Sequence, residues 1–199
     1  MHVQVMIKVK LFLATIPRCL LVIALIAQGN TMSAEAPLTI TDFTESSRDL
    51  GWYVQNDSVM GGRSEGALQQ QDGHIVFSGT TNTDGGGFSS IRSNAVTIDL
   101  SDYEGIELIA EGDGRRYSWQ LQTDAVYRGR RISYWADFDT TVGEALIIRL
   151  AFTSFYPQFR GLRLDGPALD ISRIQEMGLY IYDKKDGPFL INLQSVSAY

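Results

Sequence analysis

Few side chains in this 199-residue sequence are of types that make or break bonds. Its one cysteine, Cys19, falls within an apolar leader, so the rest of the chain has no thiol nucleophile and no internal disulfide. Downstream of the leader His74 is the sole histidine, which excludes zinc sites of the common Cys and His kinds. A Ser–His–Asp triad would have to use His74, but D-G-H-I-V-F reads as an alternating strand, where a histidine ordinarily faces solvent or a neighbour. Gly61-Gly62-Arg63-Ser64-Glu65-Gly66 has the look of a phosphate loop, yet Ala67 stands where its lysine belongs. Asp84-Gly85-Gly86-Gly87 lacks the following helix whose amides and dipole a dinucleotide needs. Both stretches read as tight turns.

Carboxylates remain. Asp57, Asp113, Asp137, Asp139 and Asp183 are candidates for a glycoside-cleaving pair or for the oxygen ligands of calcium. Aspartate is common in turns for backbone reasons alone, and no EF-hand ligand run is present. No catalytic residue, metal or cofactor is therefore assigned. More content lies in polar residues set among apolar and glycine-rich motifs: Asn56, Asp57, Ser64, Arg92, Asp113, Tyr117 and Arg160. Arg92 beside Ile91, and Arg160 between Phe159 and Gly161, are expected to be partly covered. A covered guanidinium needs acceptors, and Asp57 and Asp113 are natural partners. Two compatible readings follow: a polar network that pins loops at one end of the fold, or loops that present a recognition surface to another protein.

Those residues need a scaffold, and its period is two. His74 to Ser78 and Gly105 to Glu111 alternate; Tyr117, Trp119 and Leu121 face one side of a strand with Ser118, Gln120 and Gln122 on the other. Tyr134, Ala136 and Phe138 repeat the pattern, Leu146-Ile147-Ile148 reads as a buried strand, and Leu179 to Tyr182 and Phe189 to Leu193 close the chain. Turn signals at Asp72-Gly73, Asp84-Gly85, Gly112-Asp113-Gly114, Asp165-Gly166-Pro167 and Asp186-Gly187-Pro188 separate the strands. Asp170 to Met177 is the one stretch that suits two helical turns, capped by Asp170 with Ile171, Ile174 and Met177 inward. About ten short strands without helical alternation imply an all-β, antiparallel β-sandwich or barrel.

Composition limits the partners. The formal charge of −6 argues against general nucleic-acid binding, although Arg115-Arg116 and Arg128, Arg130 and Arg131 could form a local patch or a solvated rim. Trp52, Trp119 and Trp135, with Tyr127, Tyr134 and Tyr156, exceed what core filling obviously requires, and exposed ones could stack on sugars or anchor a protein. Phe155-Tyr156-Pro157-Gln158-Phe159 is expected to be partly exposed, because Pro157 removes a backbone donor. Residues 1–36 have the three-part layout of a signal peptide: Lys8, Lys10 and Arg18, the apolar run Leu20 to Ala27, then Ala34-Glu35-Ala36. That run is too short to span a bilayer, so no transmembrane helix is expected in the mature chain. Residues 37–199 form the folded domain, exported or periplasmic. The alternative is a cytoplasmic protein that starts at Met32.

Five motifs occur in order: W-Y-x-x-N-D-S-V-M-G-G-x-S from Trp52, G-G-F-S-S-I-R from Gly86, Gly112-Asp113-Gly114-Arg115-Arg116-Tyr117, Phe159-Arg160-Gly161, and Asp183 to Phe189. In this the chain resembles the complex I intermediate-associated protein 30 (CIA30) family over about residues 38–199. The resemblance implies a jelly-roll sandwich of the galactose-binding-domain kind. It also implies a non-enzymatic, chaperone-like assembly factor for respiratory NADH:ubiquinone oxidoreductase, whose partner is a membrane-complex subunit or assembly intermediate. The positions it transfers are Trp52, Asn56, Asp57, Met60, Gly61, Gly62, Ser64, Gly87, Phe88, Arg92, Asp113, Tyr117, Arg160 and Gly161. An exported protein would lie across a membrane from where the peripheral arm of that complex is built. The other reading is therefore an exported module that binds carbohydrate or another ligand through loop aromatics.

Overall fold

Alternation of period two becomes thirteen strands among the described residues. In chain order they are Leu38–Thr41 (β1), Tyr53–Asn56 (β2), Glu65–Gln71 (β3), His74–Thr81 (β4), Ser89–Arg92 (β5), Gly105–Gly112 (β6) and Arg116–Tyr127 (β7). Then follow Arg130–Asp139 (β8), Ala145–Ala151 (β9), Tyr156–Phe159 (β10), Leu162–Arg163 (β11), Glu176–Ile181 (β12) and Gly187–Ala198 (β13). This computed structural model describes residues 36–71 and 73–199. The expected signal peptide, apart from Ala36, and Asp72 of the expected Asp72-Gly73 turn lie outside the described residues. Among the described residues no helix is long and apolar enough to cross a membrane.

The strands form two sheets, β3-β4-β13-β6-β9 with β1 against β13, and β11-β10-β8-β7-β12-β5-β2. Every strand ladder is antiparallel, which makes the fold an all-β sandwich. Alternation decides which face of each strand turns inward. Tyr117, Trp119 and Leu121 of β7 and Leu179 and Ile181 of β12 meet Ile75, Phe77, Ile106, Leu108 and Ile191 of the other sheet in one buried core. Burial of each such side chain stabilises the sandwich by about 1.5–3 kcal/mol. Proline sits where it costs no central ladder bond. Pro157 lies in β10 near the sheet edge, and Pro188 opens β13 before its pairing with β6 begins at Ile191.

Two local expectations are corrected. Leu146-Ile147-Ile148 lies in β9, an edge strand with one face in solvent, so Ile148 is buried while Ile147 is 67% exposed. Asp170 does cap a turn, its side chain accepting from Ser172 N, but only a 3-10 helix at Ile171–Arg173 forms. Ile174 bridges to Ile98 and Met177 joins β12, whose ladder with β7 competes successfully with a helix. Both residues are fully buried, as expected.

Candidate functional site

Asp57 follows β2 on a single 3-10 turn, Asp57–Met60. Its carboxylate is fully buried and accepts four hydrogen bonds, from Ser64 N at 2.9 Å, Ser64 Oγ at 2.6 Å, Gly87 N at 2.6 Å and Phe88 N at 3.2 Å. Burial alone would raise its pKa, but these donors outweigh it and hold Asp57 below the ordinary carboxylate value. The glycines of the two motifs split into two kinds. Gly61 and Gly87 take φ of 88° and 109°, which side chains rarely adopt. Gly62 and Gly86 are needed for room, since a Cβ on either would overlap the Asp57 carboxyl. The first and second motifs are thus one latch, closed on Asp57. Beside it, the Ser89 hydroxyl donates to Asn56 Oδ1 at 2.6 Å.

A second latch joins the third motif to the fifth. Arg115 grips Asp183 with two nitrogens, at 3.0 and 2.5 Å, and donates further to the carbonyls of Lys185, Gly187 and Pro188 and to Thr81 Oγ1. The Asp183 hydrogen bond raises the Arg115 pKa; burial pushes Asp183 up, and Arg115 brings it below its ordinary value. Asp113 accepts from Tyr117 OH at 3.1 Å, Arg115 N at 3.0 Å and Leu190 N at 2.8 Å. Burial and then the Asp113 charge raise the pKa of the Tyr117 phenol. The latches meet at the end of β4, where Asn82 N donates to Ser64 Oγ and Thr81 takes Arg115. Asp57, Asp113 and Asp183 therefore share one rim.

Arg92 does not belong to that rim, and the expected pairing with Asp57 or Asp113 is corrected. It sits at the far end of β5, half-buried, with Nη1 3.9 Å from Glu176 and its guanidinium over the Tyr180 ring at 5.1 Å. Asp57 and Asp113 are already satisfied by backbone N–H groups and hydroxyls. Arg160 is exposed rather than covered, and has φ of 48° in the turn between β10 and β11. Trp52 is half-buried and packs against the core, beside Phe43 and Trp119.

Arg92 opens instead onto a cleft of about 520 Å³ on the outer face of the seven-stranded sheet. Register sets the strands that carry it in lateral rows. Tyr53, Arg92, Gly178, Gln120, Trp135 and Tyr156 pair across β2, β5, β12, β7, β8 and β10. One row over, Glu176, Gln122, Ser133 and Gln158 pair in the same way. Trp135 and Tyr180 rings lie 4.4 Å apart. Met60, Phe88, Arg160 and Gly161, all sequence-derived candidates, line the cleft with Arg92; Val59, Arg130, Arg131 and Tyr182 complete its mouth. Four lining residues are arginines and none is acidic.

The floor is polar and incompletely satisfied. Gln120 and Gln122 both donate to Ser133 Oγ, leaving the buried Gln120 Oε1 without a partner among the described residues. Tyr180 OH, Arg92 Nε and Glu176 Oε1 are likewise buried and unpartnered. Gly178 keeps this floor open, since a Cβ there would come within 3.1 Å of the Tyr180 ring and 3.2 Å of Gln120 Oε1. Burial raises the pKa of Tyr180, with Arg92 opposing, and raises that of Glu176, opposed by Arg92 and Arg131. Sequence reasoning missed Gln120, Ser133 and Tyr180, and named Trp135 only among the aromatics in excess of core filling. The available signal was the off-core face of β7 and β8, which carries uncharged amides, hydroxyls and an indole where a solvated face usually carries Lys and Glu. Among the described residues, no three His, Cys, Asp or Glu side chains converge as a metal site would require.

The profile of the family described as "Complex I intermediate-associated protein 30 (CIA30)" matches residues 41–193. The mouse (Mus musculus) protein "Complex I intermediate-associated protein 30, mitochondrial" is 25% identical over 170 residues, covering 74% of this chain and 52% of the mouse protein. The chain thus spans about half the length of that relative. Among solved structures, the family 11 carbohydrate-binding module of the Clostridium thermocellum cellulase Lic26A-Cel5E matches with a TM-score of 0.59 at 16% identity, covering 83% of this chain and 95% of the module. A family 11 module from the same organism, in complex with a β-1,3-1,4-mixed-linked tetrasaccharide, gives 0.58 at 15% identity, with 81% and 94% covered. The agarase AgWH50C gives 0.54 at 12%, over 83% of this chain and 25% of the agarase. At these identities the likeness is one of fold.

Proposed function

The chain belongs to the complex I intermediate-associated protein 30 family, and from that premise we propose that it is a non-enzymatic binding protein that holds a partner polypeptide, as an assembly factor does. The observation that carries this reading is the turn Asp57–Met60. It presents Val59 and Met60, 65% and 66% exposed, on a segment fixed by the fully buried Asp57 latch. Apolar side chains held rigidly in water bind at a low entropic cost, and loops on a rigid sandwich are where recognition concentrates. The partner is a subunit or assembly intermediate of the membrane complex for which the mouse relative is named. Wild-type chain and a Val59→Asp/Met60→Asp double variant, each used to capture proteins from membranes of the native cell, test this. Complex I subunits should be enriched by the wild type and lost by the variant; equal recovery with both refutes it.

The unsatisfied floor of the cleft favours a second reading, an exported saccharide-binding module. The N-terminus of the protein isolated from its native cell bears on the choice. Export gives a chain starting at Pro37; a start at Met32 or Ser33 keeps it in the cytoplasm and returns weight to complex assembly.

A further inference from the structure

The cleft floor contains two side chains that are more than nine-tenths buried and still lack partners among the described residues. Gln120, 2% exposed, offers Oε1, and Tyr180, 3% exposed, offers its hydroxyl. The neighbouring Ser90 hydroxyl donates to the Gln55 carbonyl. Arg92 Nε and Glu176 Oε1 are also unpartnered, and the 3.9 Å between Arg92 and Glu176 is an ion-pair separation, too long for a hydrogen bond. Buried polar groups in this state complete their hydrogen bonds with a ligand or water. Of the three on lining residues, Gln120 Oε1 accepts, Arg92 Nε donates and the phenol does both. A carboxylate alone would satisfy Arg92 but has no hydrogen to give Gln120. Hydroxyls donate and accept, and so match all three.

Charge adds a second, independent feature. The chain has 17 basic against 23 acidic residues, yet among the described residues the cleft lining holds Arg92, Arg130, Arg131 and Arg160 and no carboxylate. Arg130, Arg131 and Arg160 form no salt bridge among the described residues. Of the carboxylates nearby, Glu176 is turned to Arg92, and Asp137 to Ser118, Tyr156 and Arg116. Positive charge concentrated in one cleft of an acidic protein selects an anion.

We infer that the cleft binds an acidic saccharide, a glycan segment bearing carboxylates or sulfates, with Arg92, Gln120 and Tyr180 reading its hydroxyls and Arg130, Arg131 and Arg160 its anionic groups. This rests on the second reading above, that the cleft is a saccharide site, and adds the class of sugar. The volume of about 520 Å³ falls within the usual range of small-ligand sites.

Calorimetric titration of the full-length chain tests it with four probes: tetragalacturonate, a sulfated heparin-derived tetrasaccharide, a neutral mixed-linked gluco-tetrasaccharide and a glutamate decapeptide. At least one acidic tetrasaccharide should bind about tenfold or more tightly than the neutral one, and more weakly as salt is raised. Tyr180→Phe removes only a hydroxyl that has no hydrogen-bond partner among the described residues, so it should leave the melting temperature unchanged and weaken that acidic saccharide about tenfold. Arg130→Gln/Arg131→Gln should reduce its binding similarly and flatten the salt dependence. Equal binding of the neutral sugar overturns the acidic class while the cleft remains a saccharide site. Binding of the peptide alone, or of no probe, overturns the saccharide reading as well. Acidic-sugar binding that survives both variants unchanged shows that the cleft is not the site, and refutes the inference.

Discussion

Replacing Asp57 with asparagine keeps the size of the side chain and removes one acceptor oxygen and the charge. Four donors converge on this carboxylate. Oδ2 accepts three of them and Oδ1 only Ser64 N, so an amide oxygen in the Oδ2 position keeps three donors while the NH2 group faces Ser64 N and leaves it unsatisfied in a fully buried place. An unsatisfied buried donor costs about 1–3 kcal/mol, the other three bonds lose their charged acceptor, and relief from burying the charge offsets part of that loss. The net destabilisation should be about 3 kcal/mol. Urea unfolding of the full chain measures it as a lower midpoint at unchanged slope. The pH dependence supplies an internal control. Asp57 is held below its ordinary value of 3.8, so its contribution is complete above the unfolded-state pKa and is lost as pH falls through the folded one. The gap between wild type and Asp57→Asn should therefore stay constant from neutrality to about pH 5 and close in stronger acid. A difference under about 0.5 kcal/mol at pH 7, the level of an ordinary surface substitution, would refute the latch.

Arg115→Met leaves Asp183, whose side chain is 3% exposed, without its cation, and should cost about 3–5 kcal/mol by the same measurement. Gly61→Ala meets open space and only the strain of φ 88°, about 1 kcal/mol, whereas Gly62→Ala and Gly86→Ala drive a methyl into Asp57 and should lower the melting temperature more. Val59→Asp/Met60→Asp alters side chains that lie in water, so any loss of partner capture should come with a stability change within about 0.5 kcal/mol. Should Gly61→Ala prove the most damaging of the three alanines, the steric account of Gly62 and Gly86 fails.

Local patterning made much of the fold legible. Tyr117, Trp119 and Leu121 alternate with Ser118, Gln120 and Gln122, and that alternation alone assigns them to opposite faces of β7. Dense Gly, Asn and Asp marked the turns. Partners were not legible, because a hydrogen bond across thirty residues leaves no trace in spacing. Asp57 invited an arginine on charge grounds, yet it took Ser64 and the amides of Gly87 and Phe88, which the fold brings against it in three dimensions. Arg92 lies three residues from Ser89 at the rim end of β5, and that short run carries it to a different site. Asp170 to Met177 failed as a helix for a related reason: local propensity favoured it, and ladder pairing with β7 overrode it.

Side-chain type and order along the chain thus determined that this protein is an all-β, antiparallel sandwich or barrel with glycine-rich turns, with one histidine and no cysteine after residue 36. Tertiary structure alone decided that four of the five motifs close on one another as two latches. It decided also that the cleft is assembled from Arg92, Gln120, Trp135 and Tyr180, on four strands. Period two is a property of each strand by itself, whereas the order in which strands lie side by side is set by long-range pairing, and only that order brings these four residues to one face.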